Sequence, residues 1–161
     1  MKTIYFIRHA KSSWDDPALS DFDRPLNDKG LADAPKMGKK LQELGINPNV
    51  IIASPAVRAY ETAEIVKKEI GFFGEIITNR KLYNATAEQI TEVIAGLSHD
   101  LECVFIVGHN PGLNEIVHDL VGDFVHLGTC SVFGVRFESE KWQDLETSHK
   151  ETVLFLEKKA F

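Results

Sequence analysis

The chain has 161 residues, of which 43% are hydrophobic and 26% charged, and its formal net charge is −6. This suits one soluble domain, expected over residues 1–161, able to bury roughly two-thirds of the surface its unfolded form exposes. The acidic balance argues against nucleic acid as a partner, and no segment approaches the ~18 consecutive apolar residues of a membrane helix.

Thr3–Ile7 is rich in β-branched and aromatic residues and reads as a strand. The run is too short for a signal segment and ends in Arg8-His9, so a buried strand and a cytoplasmic location are expected. A loop from Ala10 to Leu26 follows, dense in Ser, Asp and Pro, and loops of that length are often functional. Asn27 is expected to cap a helix running to about Leu44 and closed by Gly45. Pro35 inside it predicts a kink or a later start. Val50–Ala53 is a second strand. Ser54-Pro55 reads as a cap and a first-turn proline, opening a helix that carries Val57, Ala59, Ile65 and Val66 and ends near Gly71. Glu75–Thr78 is a weak third strand. Thr86 and Gln89 match a capping box before a helix with Ile90, Val93, Ile94 and Leu97 on one side. Cys103–Val107 is a strongly apolar fourth strand. Asn110-Pro111 again reads as a cap and a first-turn proline, before a helix with Leu113, Ile116, Val117 and Leu120. Ser131–Phe137 and Thr152–Leu156 flank a polar turn and are expected to pair. The alternation predicts a three-layer α/β/α sandwich around a mostly parallel sheet.

In open sheets of this kind, ligands bind beyond the carboxyl ends of the strands. Arg8 and His9 follow the first strand. Ser54-Pro55 and, one helical turn on, Arg58 follow the second; Gly108-His109-Asn110 follows the fourth. The segments TIYFIRHA and CVFIVGHN share one plan, an apolar strand ending in a histidine. The long loop adds Arg24, whose backbone Pro25 biases towards the extended region. A solitary arginine is ordinarily a solvated charge and a solitary histidine a loop residue, which is the reading given to His99, His118, His126 and His149. The concurrence of Arg8, His9, Arg58 and His109 at strand ends is what points to chemistry.

Guanidinium groups grip phosphate oxygens through charge-assisted, often bidentate hydrogen bonds. Helix starts at Pro55 and Pro111 would add positive dipole ends. Phosphoryl transfer needs stabilisation of charge and in-line positioning, which several fixed cations can supply without a metal. Nearby positive charge disfavours imidazolium, so His9 is expected to stay neutral and nucleophilic. Its other ring nitrogen is expected to donate to a backbone carbonyl. Cys103 and Cys130 have no ligand spacing and read as packed or free thiols of a reducing compartment. No metal and no other cofactor is expected.

These residues bring a family into view. Arg8-His9-Ala10 resembles the RHG signature of the histidine phosphatase, or phosphoglycerate mutase-like, superfamily. Ser54-Pro55 with Arg58 and Glu61-Thr62-Ala63 resembles its second motif, and Gly108-His109 its third. The runs Arg8–Trp14 and Val107–Gly112, with Arg24-Pro25-Leu26 and Gly30, are similar to those of the small SixA-like phosphohistidine phosphatases. The resemblance covers the chain to about Phe137. It implies that His9 becomes phosphorylated and that Arg8, Arg58 and His109 hold the phosphoryl group, with Arg24 and Asn110 adding to the phosphate site. Water then hydrolyses the intermediate.

Two departures matter. Ala10 replaces the common glycine, and little effect is expected. Many relatives place a carboxylate after the third strand as general acid, whereas this chain reads Lys81-Leu82-Tyr83-Asn84-Ala85. Glu88, Asp16, Asp21 and Asp23 are the alternative candidates. An imidazole leaving group needs less acid help than an alkoxide. The expected substrate is therefore a protein phosphohistidine. The alternatives are a small-molecule phosphomonoesterase with the same pocket and a non-catalytic module that binds phosphorylated ligands. Phosphate-like anions such as tungstate or vanadate are expected in the pocket.

Overall fold

A computed structural model describes residues 1–161. In chain order the elements are β1 (Lys2–Arg8), α1 (Asp28–Glu43), β2 (Val50–Ala53), α2 (Val57–Ile70), β3 (Ile76–Thr78), α3 (Ala87–Ala95), β4 (Cys103–Gly108), α4 (Gly112–Val121), β5 (Val132–Phe137) and β6 (Lys150–Leu156). The six strands form one sheet in the order β3-β2-β4-β1-β5-β6. The first four of that row run parallel, while β5 pairs antiparallel with both β1 and β6.

Side chains alternate across the sheet as the pleat demands. Ile4, Phe6, Ile52, Val104 and Ile106 point to one face, where Ile90 and Ile94 of α3 and Ile116 and Val117 of α4 cover them. Ile7, Ile51, Phe105 and Val107 point to the other, under Met37 and Leu41 of α1 and Ala63 and Val66 of α2. Parallel strands need both faces covered, and the expected three-layer α/β/α sandwich meets that need.

Register sets where the strands stop. Arg8 pairs with Gly108, and Ala53 with Val107. Beyond those pairs, the His9 N–H donates to the Gly108 carbonyl (3.1 Å) and the Ser54 N–H to the Val107 carbonyl (2.9 Å). Three strands thus end level, and whatever follows them in sequence arrives at one rim.

Most predicted ends hold. The Asn27 side chain accepts from the Gly30 N–H at 2.9 Å to open α1. Gly45 takes the left-handed conformation, φ 71°, just past the end of α1. The Thr86–Gln89 capping box is formed. Pro35 does not delay α1, which is helical from Asp28 onward. Buried Ala34, Met37 and Leu41 on the same stretch offset the one backbone bond that proline removes. Two predicted caps are corrected. α2 begins at Val57 behind Ala56, and α4 at Gly112 behind Pro111. Ser54 turns to His109 at the rim, whereas Asn110, one residue before the cap position, still accepts from the Asn114 N–H in the first turn of α4.

The 10–26 loop is tied down. It contains a short helical turn, Asp21–Asp23, and a bridge between Ser12 and Leu26. Glu61 of α2 accepts from the Leu26 N–H at 3.1 Å. The Lys11 carbonyl accepts from the Asn27 N–H at 2.9 Å. A Cβ at Gly30 would overlap that same carbonyl oxygen, so only glycine lets α1 start this close to the loop.

Candidate active site

His9 sits just past β1, only 7% exposed. Its Nδ1 lies 2.7 Å from the Ala10 carbonyl oxygen. A carbonyl only accepts, so Nδ1 carries the ring proton and Nε2 keeps a free lone pair. Ala10 is itself held: its N–H donates to Thr62 Oγ1 at 3.0 Å, and that hydroxyl donates to the Arg58 carbonyl at 2.8 Å. From the other side the Cys130 N–H reaches the carbonyls of Arg8 (3.2 Å) and His9 (3.1 Å). Cys130 does so at φ 65°, a strained conformation for a residue with a side chain. The β1 exit is therefore fixed from α2 and from the segment before β5.

His109 stands at the β4 exit with its ring centroid 5.0 Å from that of His9. Its Nε2 is 2.7 Å from Ser54 Oγ, which also accepts from the Ala56 N–H. A serine hydroxyl both donates and accepts, so either tautomer of His109 satisfies this contact, and the remaining ring nitrogen is Nδ1. That Nδ1 is buried with no partner within the protein, as is Arg8 Nε. Arg8 Nη1 donates to the Leu127 carbonyl at 3.0 Å.

Asp21, from the short turn in the loop, organises the other two arginines. Its carbonyl accepts from Arg58 Nη1 at 2.6 Å and its Oδ2 from Arg58 Nη2 at 3.0 Å. Its Oδ1 accepts from Arg24 Nη1 at 2.8 Å, and the Tyr83 hydroxyl donates to Oδ2 at 2.7 Å. Arg24 also donates to the Ser13 carbonyl (2.9 Å) and to the Ser12 hydroxyl. Its backbone is extended before Pro25, as expected.

Arg8, His9, Arg24, Arg58, His109 and Asn110 all line one cleft of about 320 Å³. Lys11 is a further cation there, and no carboxylate is among the lining residues. Both ends of the Asn110 amide are committed within the protein, to the Leu127 carbonyl (2.7 Å) and the Asn114 N–H (3.1 Å). Asn110 thus shapes the wall, and the second hydrogen of its Nδ2 is left for a ligand in the cleft it lines. A larger hollow of about 630 Å³ lies between α2 and β3, around Tyr60, Lys67 and Phe72. It contains no histidine and no arginine, so the chemistry belongs to the smaller cleft.

Burial, more than charge, sets the protonation of the histidines. Desolvation pushes His9 down to about 4, with Arg58, Arg8 and Arg24 adding to the fall and the Ala10 carbonyl opposing it. Burial, followed by the charges of His9 and Arg58, pushes His109 to about 3. Both rings are neutral at pH 7. The predicted direction for His9 holds, but the larger cause is desolvation.

The acid candidates separate. Asp21 is held well below the usual carboxylate range, first by the Tyr83 hydroxyl and then by Arg24 and Arg58, so it has no proton to give near neutral pH. Tyr83 is pushed up by the same hydrogen bond. Asp16, Asp23 and Glu88 do not line the cleft. Glu115, which no sequence pattern singled out, borders an adjoining hollow of about 200 Å³ together with Asn84, His109 and Asn110. The sequence leaves the roles of four residues unread: it offers Asp21 only as an acid candidate, Ser54 only as a cap and, with Thr62, as part of the second motif, and Tyr83 only as marking the missing acid. Thr62 alone carried a usable signal, lying one helical turn beyond Arg58.

Fold and cleft together define an α/β protein with a cationic, two-histidine pocket at the ends of its parallel strands. The pattern of the histidine phosphatase superfamily (branch 1) matches residues 4–93, and the chain belongs to that superfamily. It is 32% identical over 152 residues to an uncharacterized chloroplastic protein of Arabidopsis thaliana, covering 89% of this chain and 70% of that one. Among solved structures, a candidate phosphohistidine phosphatase SixA from Agrobacterium tumefaciens superimposes with a TM-score of 0.83 at 26% identity, covering 97% of both chains. The protein histidine phosphatase SixA, solved with tungstate, superimposes with a TM-score of 0.84 at 18% identity over 98% of both chains. The SixA-like, phosphoglycerate mutase-like fold is thereby established.

Proposed function

We propose that this chain is a metal-independent phosphatase that removes the phosphoryl group from protein phosphohistidine through a covalent intermediate on His9. The observation that carries the reading is a neutral His9 with its Nδ1 committed to the Ala10 carbonyl, in a cleft lined by three guanidinium groups and no carboxylate. In the first step the Nε2 lone pair attacks phosphorus in line, forming the new N–P bond. The bond from phosphorus to the substrate nitrogen breaks, and the substrate imidazole departs carrying a proton it already holds. Arg8, Arg24 and Arg58 balance the charge on the equatorial oxygens. In the second step water attacks the phosphohistidine, its proton leaves with orthophosphate, and neutral His9 is restored.

The missing acid supports the substrate class. An alkoxide leaving group needs a proton donor, whereas a phosphorylated imidazole can be protonated before it leaves. Asp21 is the carboxylate that holds the arginines, and it is too acidic to donate. One observation favours an ester substrate instead: Glu115 borders the hollow next to His109. Tungstate, held by the related SixA structure, is expected to bind this cleft as a phosphate mimic.

The test is phosphate release in the presence of chelator from a phosphohistidine protein and from an aryl phosphate, with His9→Ala as control. Release that needs His9 and favours phosphohistidine is the expected result. Release from the aryl ester alone would move the substrate to small phosphomonoesters. Release that survives His9→Ala would refute the assignment.

A further inference from the structure

Trp14 is an exposed aromatic beside the histidines. Its side chain is 75% exposed although it lines the His9 cleft. One face is occupied, since the Arg24 guanidinium lies 3.2 Å from the ring centroid. Arg24 is buried and held by Ser13, Asp21 and Ser12. A cation–π contact with a fixed guanidinium immobilises the indole while the rest of the ring stays open to solvent.

Trp14 also stands on a boundary. The His9 cleft adjoins a second cleft of about 480 Å³, and Lys11, Ser12 and Trp14 line both. The second cleft runs past Asp15 and Leu26 to Asp28 and Lys29 at the start of α1. Lys11 and Lys29 are matched there by Asp15 and Asp28, so its charge does not select a polyanion. Its mixture of loop backbone, hydroxyls, amide and the apolar surfaces of Trp14 and Pro25 is what a short stretch of polypeptide would meet on both its main chain and its side chains.

We propose that this second cleft is the docking groove for the polypeptide that carries the phosphoryl group, and that Trp14 is the specificity-determining residue between groove and pocket. The inference rests on the phosphatase reading above and names its substrate as a macromolecule. A small phosphorylated molecule fills the phosphate pocket and leaves the groove empty. A phosphorylated side chain enters the pocket past Trp14 while its sequence neighbours lie in the groove. A pre-ordered Trp backed by Arg binds at low entropic cost, because the ring loses little freedom on contact.

The experiment compares kcat/KM on a phosphohistidine protein with kcat/KM on free phosphohistidine, for the wild type, Trp14→Ala and Trp14→Phe. The ratio of the two is expected to fall at least tenfold in Trp14→Ala, through KM for the protein, and to recover in Trp14→Phe. An unchanged ratio, with both substrates affected equally, would mean that Trp14 acts only through Arg24 and would overturn the proposal. If the wild type hydrolyses neither substrate, the phosphatase reading fails separately. The groove is then judged by titrating the phosphorylated protein into wild type and Trp14→Ala. Binding at least tenfold weaker in the variant upholds the groove, and equal Kd values overturn it.

Discussion

The nucleophilic role proposed for His9 rests on a ring that is kept dry and a tautomer that is assigned. Burial removes the water that would stabilise imidazolium, and the one ring proton that remains stays on Nδ1, donating to the Ala10 carbonyl. Arg58 has the complementary task. It is only 6% exposed, and Asp21 orients its guanidinium from one side. Arg58→Ala is expected to lower kcat by about 10²–10³, the cost of losing a donor to transition-state charge, about 3–4 kcal/mol. Steady-state kinetics with the fold checked by circular dichroism decides it, and a loss under tenfold would place Arg58 outside the transition state.

At the level of elements, Asp21 is the point where three segments meet. Its loop turn, α2 through Arg58, and the segment after β3 through Tyr83 converge on one carboxylate. A negative charge beside a phosphate site repels the ligand in the simplest view, so its removal would tighten binding. The geometry argues the opposite. Without the Asp21 carboxylate, Arg24 keeps Ser12 and Ser13 and Arg58 keeps the backbone carbonyl at position 21, but the two guanidinium groups lose the shared ion pair that fixes them relative to each other. Asp21→Ala is expected to weaken tungstate binding by about tenfold, close to the ~1.5 kcal/mol lower end for a charge-assisted bond, because the Asp21 side chain is half exposed. Calorimetric titration reads it directly, and a variant that binds tungstate more tightly would refute the anchoring role.

For the molecule as a whole, two histidines buried in neutral form make stability depend on pH. An unfolded histidine titrates near 6.5, whereas folded His9 stays neutral to about 4. As pH falls from 6.5 towards 4, the unfolded chain takes up protons that the folded chain refuses, so stability declines through that window and is fully present above it. For His9 alone the loss by pH 4 is about 3 kcal/mol. Urea unfolding at pH 7.5, 5.5 and 4.5 should show a midpoint that drops on acidification with little change in slope. A midpoint constant from 7.5 to 4.5 would contradict neutral burial.

At this scale much of the design was legible in the chain itself. β1 and β4 are unbroken apolar runs, each ending in a histidine, and strand alternation alone fixes which residues reach the rim. Ser54 and Asn110 were misread for a specific reason. A polar residue before proline is the signature of a helix start, and nothing local reveals that Ser54 turns to His109 or that the Asn110 amide, while its oxygen accepts from the first turn of α4, also reaches Leu127. Asp21 was named only as an acid candidate; its role as anchor was hidden more deeply, since its partners at 24, 58 and 83 meet only after the sheet has formed. The cause of the His9 shift was misjudged likewise, because charges can be counted in a sequence whereas burial must be built.

The cationic lining of the cleft has a kinetic consequence. If the proposed reaction holds, Arg8, Lys11, Arg24 and Arg58 would hold the phosphoryl group during transfer and orthophosphate in much the same way once the bond to His9 is cut. Asp21, the carboxylate near them, is engaged by Arg24 and Arg58 and does not line the cleft. The product should therefore leave slowly and compete with fresh substrate, so that progress curves bend early and straighten when a phosphate-consuming couple is added. Added orthophosphate should raise the apparent KM and leave kcat alone. If it has no effect at several times the substrate KM, the cleft releases its product more readily than its charge implies. A catalyst of this kind would run at a rate set by the free phosphate around it as well as by the supply of its phosphorylated partner.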